Sequence, residues 1–267
     1  MLPQTVLLMW TLVFVGGRFG TALGTAEPAR LAIEAWQQGQ EQLLRGNTEA
    51  AIACYQSSLA LDPGLVRNHL SLAAAYLEKG DTQAARVPLA KYVAAQPDQL
   101  GVRAQYAELL VRLGRLGEAR HEFERVIERA QEQGSGGTQQ MIHCHRRLMD
   151  IAQATENVYG EHLHRGIGLY LLAMLRAELP DPGGDLPVEG LLCKAAAELT
   201  FARRNRPDEA RPNLYLYEIW SHLSQRQPAL RCLRAAELAY PFSYLSPAEQ
   251  RRLQWACRET SSESISK

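Results

Sequence analysis

An internal repeat of 34 residues constrains the fold of this sequence more than any other feature. Pro63 and Pro97 lie one period apart, and Gly46 corresponds to Gly80 at the same offset. Three more positions recur at that spacing: Leu43 with Leu77, Thr48 with Thr82, and Ala51 with Ala85. Each period contains two stretches with apolar residues every three or four positions, which is typical of amphipathic helices. The repeat therefore predicts an all-α solenoid of antiparallel helix pairs.

The residues at the helix boundaries suggest which kind of helix pair this is. Gly39 lies between Trp36 and Leu43, where a small residue lets two helices approach closely. Glycine then ends the first helix, because it tolerates the left-handed backbone of a helix C-terminus, and proline ends the second. These residues resemble the tetratricopeptide repeat family, and they recur in three consecutive units over residues 32–130. The resemblance implies a right-handed α-solenoid that works as a protein–protein interaction scaffold or adaptor.

The remainder of the chain departs from the repeat pattern. We expect a flexible loop at residues 131–137, a degenerate helix pair at 138–179 and a Pro/Gly-rich break at 180–187. A helix followed by a repeat-like unit is expected at 188–241, a capping helix at 245–258 and a disordered tail at 259–267. The capping helix has a recognisable start, since Ser246 is a favourable N-cap, Pro247 suits the first turn, and Glu249 completes a capping box. This helix would cover the exposed end of the stack.

We expect residues 1–26 to form a signal peptide or an N-terminal anchor. Residues 6–15 are an almost entirely apolar run, which is too short to span a bilayer but suits a signal peptide. Small residues follow, so cleavage after Ala22, Gly24 or Ala26 is expected. No basic residue precedes the apolar run, however, and Arg18 follows it. We therefore expect export to a periplasmic or extracellular location, with a membrane-anchored or cytoplasmic chain as the alternatives.

Charge and cysteine content exclude several classes of partner and site. The 29 basic and 29 acidic residues balance, so neither nucleic acid nor an anionic membrane is a favoured partner. The five cysteines are scattered and form no CxxC motif, which argues against a zinc ribbon or a disulfide framework. We expect free thiols, although one disulfide remains possible in an exported chain.

Histidines are concentrated in the degenerate middle of the chain, at His143, His145, His162 and His164. Residues two apart on a helix point in nearly opposite directions, so neither local pair would hold one metal ion from a single helix. His145 could meet His164, or His143 could meet His162, across the helix pair. We expect no metal site and no cofactor. The sequence also lacks nucleophile-elbow, metalloprotease, P-loop and dinucleotide-binding motifs, so we expect that the protein is not an enzyme.

The family resemblance implies a concave groove lined by the first helix of each pair. Carried over to this chain, the partner-binding groove positions are Trp36, Gln40, Arg67, Leu70, Ala74, Glu78, Ala104, Glu108 and Arg112. Trp36 would be a binding anchor, or alternatively it would pack the end of the stack. Trp36 and Gln40 stand where some family members carry a carboxylate-clamping lysine and asparagine, so we do not expect chaperone-tail binding. A protein or peptide partner of unknown identity is expected; the alternatives are a structural subunit without a groove and a histidine-rich metal-dependent enzyme.

Overall fold

The computed structural model describes residues 26–178 and 187–265, apart from the side chains of Ala26, Ser135 and residues 262–265. The predicted signal peptide or anchor therefore lies almost wholly outside the described residues, as does the predicted break at residues 180–187. In the described part of the chain, no helix is long and apolar enough to cross a membrane. All five cysteines fall inside it and are free thiols.

All regular structure in the described ranges is helical, as the repeat predicts. The α-helices are α1 (Ala26–Leu44), α2 (Thr48–Leu61), α3 (Val66–Glu78), α4 (Thr82–Ala95), α5 (Leu100–Arg112), α6 (Leu116–Glu132), α7 (Thr138–Ala154), α8 (Val158–Ala177), α9 (Val188–Asn205), α10 (Ala210–His222), α11 (Arg226–Ala239) and α12 (Pro247–Ile265). Two short 3₁₀ segments add Gly134–Gly137 and Tyr240–Phe242. The chain divides after Pro97 into two compact units, so unit 1 contains α1–α4 and unit 2 contains α5–α12.

The turns inside the helix pairs confirm the role expected of the recurring glycines. Gly46, Gly80 and Gly114 are spaced by the 34-residue period and have φ values of 79°, 84° and 72°. Glycine adopts this left-handed backbone without steric cost, so each glycine ends one helix and reverses the chain. Glu156 and Ser224 occupy the same left-handed conformation, at φ 54° and 57°. The α7–α8 and α10–α11 pairs therefore keep the repeat turn although they lack its glycine.

Unit 1 is held together by an aromatic ring packed against a glycine. Tyr55 on α2 is fully buried, and a Cβ atom added to Gly39 on α1 would lie 2.5 Å from its ring. The buried Asn68 side chain of α3 donates to the Tyr55 carbonyl at 3.0 Å, and the buried Ser58 hydroxyl donates to the Ala32 carbonyl at 2.6 Å. These bonds fix the helices around the ring, because a buried polar group without a partner is costly.

Unit 2 contains an additional helix, α9, that packs along α8. Gly166 on α8 permits this contact, since a Cβ atom there would lie 2.6 Å from the Leu199 side chain of α9. Ile167, Leu199 and Ile219 are fully buried in the shared core of α8, α9 and α10. The predicted helix at the start of residues 188–241 is thus an integral part of the unit 2 core.

The C-terminal segment begins as predicted and then differs from the prediction. The Ser246 hydroxyl accepts from the Glu249 amide at 3.2 Å, while the Glu249 carboxylate accepts from the Ser246 amide at 2.8 Å, which completes the expected capping box. Helix α12 packs on α10 and α11 and also contacts α6. It continues to Ile265, so the predicted end at residue 258 and the predicted disorder of residues 259–265 are wrong. Polar composition suggested disorder, but no helix-breaking residue interrupts this stretch.

The predicted flexible loop at residues 131–137 is also more regular than its composition suggested. Helix α6 includes Gln131 and Glu132, and Gly134–Gly137 forms a 3₁₀ turn that leads into α7. Gly137 lies so close to Ala130 that an added Cβ atom would be 2.7 Å from its carbonyl oxygen. Glycine therefore serves close packing at this position.

Candidate partner-binding site

The central predicted groove residues of unit 1 form a connected polar cluster on α1 and α3. The indole N–H of Trp36 donates to the Ser71 hydroxyl at 3.0 Å, and the Gln40 amide donates to the same oxygen at 2.9 Å. The Arg67 guanidinium lies 5.2 Å from the centre of the Trp36 ring, within range of a cation–π interaction. The cluster holds Trp36 in one orientation and places a cation over it.

Trp36 is packed against the core on one side and accessible on the other. Its ring is partly buried and packs against the unit 1 core around Tyr55, Ile52 and Leu72. It is not buried completely, so part of the side chain remains accessible beside Arg67. Trp36 therefore contributes packing to α1 and α3 and also presents surface.

The other predicted groove positions of unit 1 extend along α3. Leu70 is partly buried, whereas Ala74 and Glu78 are exposed. Residues three and four apart share a helix face, so these positions continue the surface that starts at Arg67. The Glu78 carboxylate is 3.5 Å from the Thr48 hydroxyl. The resulting surface, named the α1–α3 face and defined by Trp36, Gln40, Arg67, Leu70, Ala74 and Glu78, has an Arg67 cation at one end and a Glu78 carboxylate at the other.

The predicted groove positions of unit 2 are used differently. Ala104 is 8% exposed, so it offers a partner almost no surface. Both carboxylate oxygens of Glu108 accept from Arg147, at 2.8 and 2.9 Å, and His143 lies 3.2 Å from one of them. Arg112 is exposed at the end of α5. Because Glu108 is already engaged across the α5–α7 interface, these three positions form no surface comparable to the α1–α3 face.

Two of the histidines meet across the α7–α8 pair. The Nδ1 atoms of His145 and His164 are 3.1 Å apart, beside a cavity of about 110 Å³. The cavity is also lined by Glu128, Arg211, Tyr244, Ser246 and Glu249, among others. His143 and His162 do not meet; they pair instead with Glu108 and Glu198. Within the described residues, no group of three or more histidine, cysteine or acidic side chains is arranged to hold a metal ion.

The environment of the histidine pair keeps both rings neutral. Burial, the neighbouring His164 and the Arg211 guanidinium hold the pKa of His145 well below its ordinary value. Burial, Arg211 and Arg120 lower the pKa of His164 to about 3. One ring must therefore donate its Nδ1 proton to the other. The pair is a neutral hydrogen-bonded contact in the unit 2 interior, and it requires no metal for its explanation.

The C-terminal segment closes over this histidine cavity. The Glu249 carboxylate is 3.0 Å from the Arg211 guanidinium, and the Tyr244 hydroxyl donates to Glu128 at 2.5 Å. The Ser246 hydroxyl donates to the Gln131 side chain at 2.7 Å. Arg211 and Glu249 form a largely buried ion pair, so the segment is fastened to both α6 and α10.

A second recess, which we name the α12 cleft, is also lined in part by α12. It has a volume of about 480 Å³ and is lined by Gln131, Gly134, Thr138, Met141, Leu171, Glu178, Tyr215, Ala248, Arg251, Arg252 and Trp255. Sequence reasoning missed it, because its walls come from five helices that are far apart in the chain. The one available signal was the spacing of Ala248, Arg251 and Trp255, which places them on one face of α12.

Comparisons with known proteins agree with the repeat. Residues 77–135 match the family described as tetratricopeptide repeat. The comparison with curated proteins gave no match.

Among solved structures, the chain is similar to the first TPR of Spaghetti (RPAP3) bound to an HSP90 peptide, at 22% identity, covering 48% of this chain and 95% of that chain with a TM-score of 0.38. It is also similar to pilF of Pseudomonas aeruginosa, at 18% identity, covering 88% and 99% with a TM-score of 0.38. A third similar structure is YrrB, a TPR protein with an unusual peptide-binding site, at 16% identity, covering 90% and 97% with a TM-score of 0.36. The matched segment and the left-handed glycines repeated every 34 residues identify residues 77–135 as a tetratricopeptide-repeat segment of this chain.

Proposed function

We propose that this protein is a protein-interaction scaffold that binds a segment of a partner protein on the α1–α3 face. The observation that carries the proposal is the Arg67 guanidinium over the Trp36 ring. Arg67 is exposed and has no carboxylate partner among residues 26–178 and 187–265. An aromatic ring beside an unpaired arginine is the composition typical of interface hot spots.

The order already present in this face supports a binding role. Ser71 accepts from both Trp36 and Gln40, so these side chains lose little conformational freedom when a partner binds. The partner would place an acidic group against Arg67 and apolar side chains along Leu70 and Ala74. A segment that also carries a basic group would complement Glu78 at the far end.

The test is co-purification of partners from a native extract with the chain from Glu27 onward. Arg67→Glu reverses the exposed charge without touching the core and should reduce recovery of the bound partner at least tenfold. The matched control is Arg45→Glu, since Arg45 is also an exposed arginine, lies just after α1 and pairs with Glu41 of that helix. If Arg67→Glu and Arg45→Glu recover the partner equally well, the α1–α3 face is not the interface, and the structural-subunit alternative gains support.

We further propose that residues 1–26 direct export of the chain. The support is the apolar run at residues 6–15 followed by small residues at Ala22, Gly24 and Ala26. Expression with a C-terminal tag, followed by fractionation and N-terminal sequencing, tests this directly. A mature N-terminus between residues 23 and 27 in the exported fraction is the expected result. An intact N-terminus in the cytoplasm would exclude export, and an intact N-terminus in the membrane would indicate the anchor.

A further inference from the structure

The α12 cleft is built by a helix that is not part of a repeat pair. Ala248, Arg251, Arg252 and Trp255 line it from α12, with the spacing of one helix face. The opposite walls come from the ends of α6 and α8, the start of α7, and α10. All of these elements belong to unit 2, whereas the α1–α3 face belongs to unit 1. The cleft is thus a separate surface from the one proposed above.

The cleft has a partly buried leucine, Leu171, and an exposed tryptophan, Trp255, among its lining residues. Tyr215 is buried, and the Arg252 guanidinium lies 4.8 Å from the centre of its ring. Arg252 is held there by the Glu218 carboxylate at 2.8 Å. Trp255 is 61% exposed in this cleft, although an indole of this size usually buries most of its surface in a folded chain. An accessible indole in a cleft that also contains a partly buried leucine suits the capture of a large apolar side chain.

The charges around the cleft indicate which charged residues a bound segment would carry beside its apolar side chain. Arg252 is already neutralised by Glu218. Arg251 is exposed, lies one helical turn from Trp255, and has no carboxylate partner in the described part of the chain. Glu178 lies at the opposite wall and likewise forms no ion pair within the described ranges. One free cation is too little to retain a nucleic acid, whose binding depends on many phosphate contacts. It is sufficient to orient a single carboxylate.

We propose that the α12 cleft docks an extended segment of a partner protein in which an acidic residue lies next to a large apolar one. The acidic side chain pairs with Arg251, and the apolar side chain packs between Trp255 and Leu171. A basic residue further along the segment pairs with Glu178. The cleft volume of about 480 Å³ lies within the range of binding pockets for small molecules and short peptide segments.

The test is selection of a random displayed 12-residue peptide library on the full chain, followed by affinity measurements with the selected peptides. Peptides carrying an acidic residue within two positions of Leu, Ile, Phe or Trp are expected to be enriched. Trp255→Ala and Arg251→Glu should each weaken their binding at least tenfold. Arg258→Glu, which changes an exposed arginine on the same helix outside the cleft, should leave affinity within twofold.

A charge exchange distinguishes direct pairing from a general loss of structure. Replacing the acidic residue of a selected peptide by lysine should abolish binding to the native chain and restore it to Arg251→Glu. Arg67→Glu separates this proposal from the proposed function, because it should leave these peptides bound while weakening any that occupy the α1–α3 face. The proposal is overturned if no selected peptide depends on Trp255, or if the peptides that do depend on it are not enriched in acidic residues.

Discussion

Mild acid should destabilise unit 2 through the buried His145–His164 pair. Both rings are held neutral in the folded chain, with the pKa of His164 lowered to about 3 and that of His145 lowered well below its ordinary value. In the unfolded chain each ring titrates near its reference pKa of about 6.5. Below that pH the two rings bind protons in the unfolded chain but stay unprotonated in the folded chain. Stability is therefore complete above about pH 6.5 and decreases as the pH falls.

The size of this effect follows from the same pKa difference. Between pH 7.5 and 5, one histidine that stays neutral in the folded state costs about 2 kcal/mol of unfolding free energy. The two histidines together lower the free energy of unfolding by about 3–4 kcal/mol over this pH range. The lower figure allows for the partial exposure of His164. A loss of that size is a large fraction of the stability of an ordinary domain.

Urea unfolding followed by circular dichroism at several pH values measures this loss. The double variant His145→Gln/His164→Gln cannot titrate at these positions, so its stability should fall by about 3–4 kcal/mol less than that of the native chain over the same pH range. Other titrating groups are common to both proteins and cancel in the difference. The control, His121→Gln, changes an exposed histidine outside the cavity and should keep the native pH dependence. Equal pH dependence in the native chain and the double variant would refute the reasoning.

Three further predictions concern stability near pH 7.5, measured by the same urea unfolding. Gly39→Ala should destabilise unit 1 by about 1–3 kcal/mol, because the new Cβ atom would lie 2.5 Å from a buried aromatic ring. Its control, Gly101→Ala, meets nothing within 4 Å and should be neutral or stabilising. Glu156→Gly should stabilise unit 2 by about 0.5–1 kcal/mol. Glycine adopts the left-handed backbone without steric strain, and this gain exceeds the cost of the higher entropy that glycine gives the unfolded chain. Glu249→Gln should destabilise unit 2 by about 2–4 kcal/mol, because it leaves the largely buried Arg211 without its carboxylate.

Each of these predictions has an outcome that would contradict it. A gain in stability in Gly39→Ala would mean that the tyrosine ring moves aside without loss. A loss in Glu156→Gly would show that the left-handed residue is not strained. An unchanged stability in Glu249→Gln would mean that Arg211 finds another partner or reaches water.

The repeat made much of the fold predictable, since a turn glycine, a small residue between helices and a helix-ending proline each act over a few residues. Gly46 and Gly80 end their helices with the expected left-handed backbone. The capping box at Ser246 and Glu249 was predictable for the same reason. The helical continuation of α12 to Ile265 was not, because polar composition alone does not distinguish an exposed helix from a disordered tail.

The candidate site was predictable only in part, because contacts between distant segments leave no local pattern. The family positions located Trp36 and Arg67 on one face but did not include Ser71, which holds Trp36 in place. The approach of His145 to His164 was one of two pairings left open by the sequence. The contact of Tyr244 with Glu128 joins residues 116 apart, so neither the closure over the histidine cavity nor the α12 cleft could be inferred from spacing.

The most direct test of the central claim is site-specific photocrosslinking of the partner to the α1–α3 face. A benzophenone side chain placed at Ala74, which is exposed on α3, should crosslink the partner that co-purifies with the native chain. The same group at Ala53, which is exposed on α2, should not. Crosslinking from Ala74 alone would establish that the partner lies on this face. Equal crosslinking from both positions, or from Ala53 alone, would contradict the account.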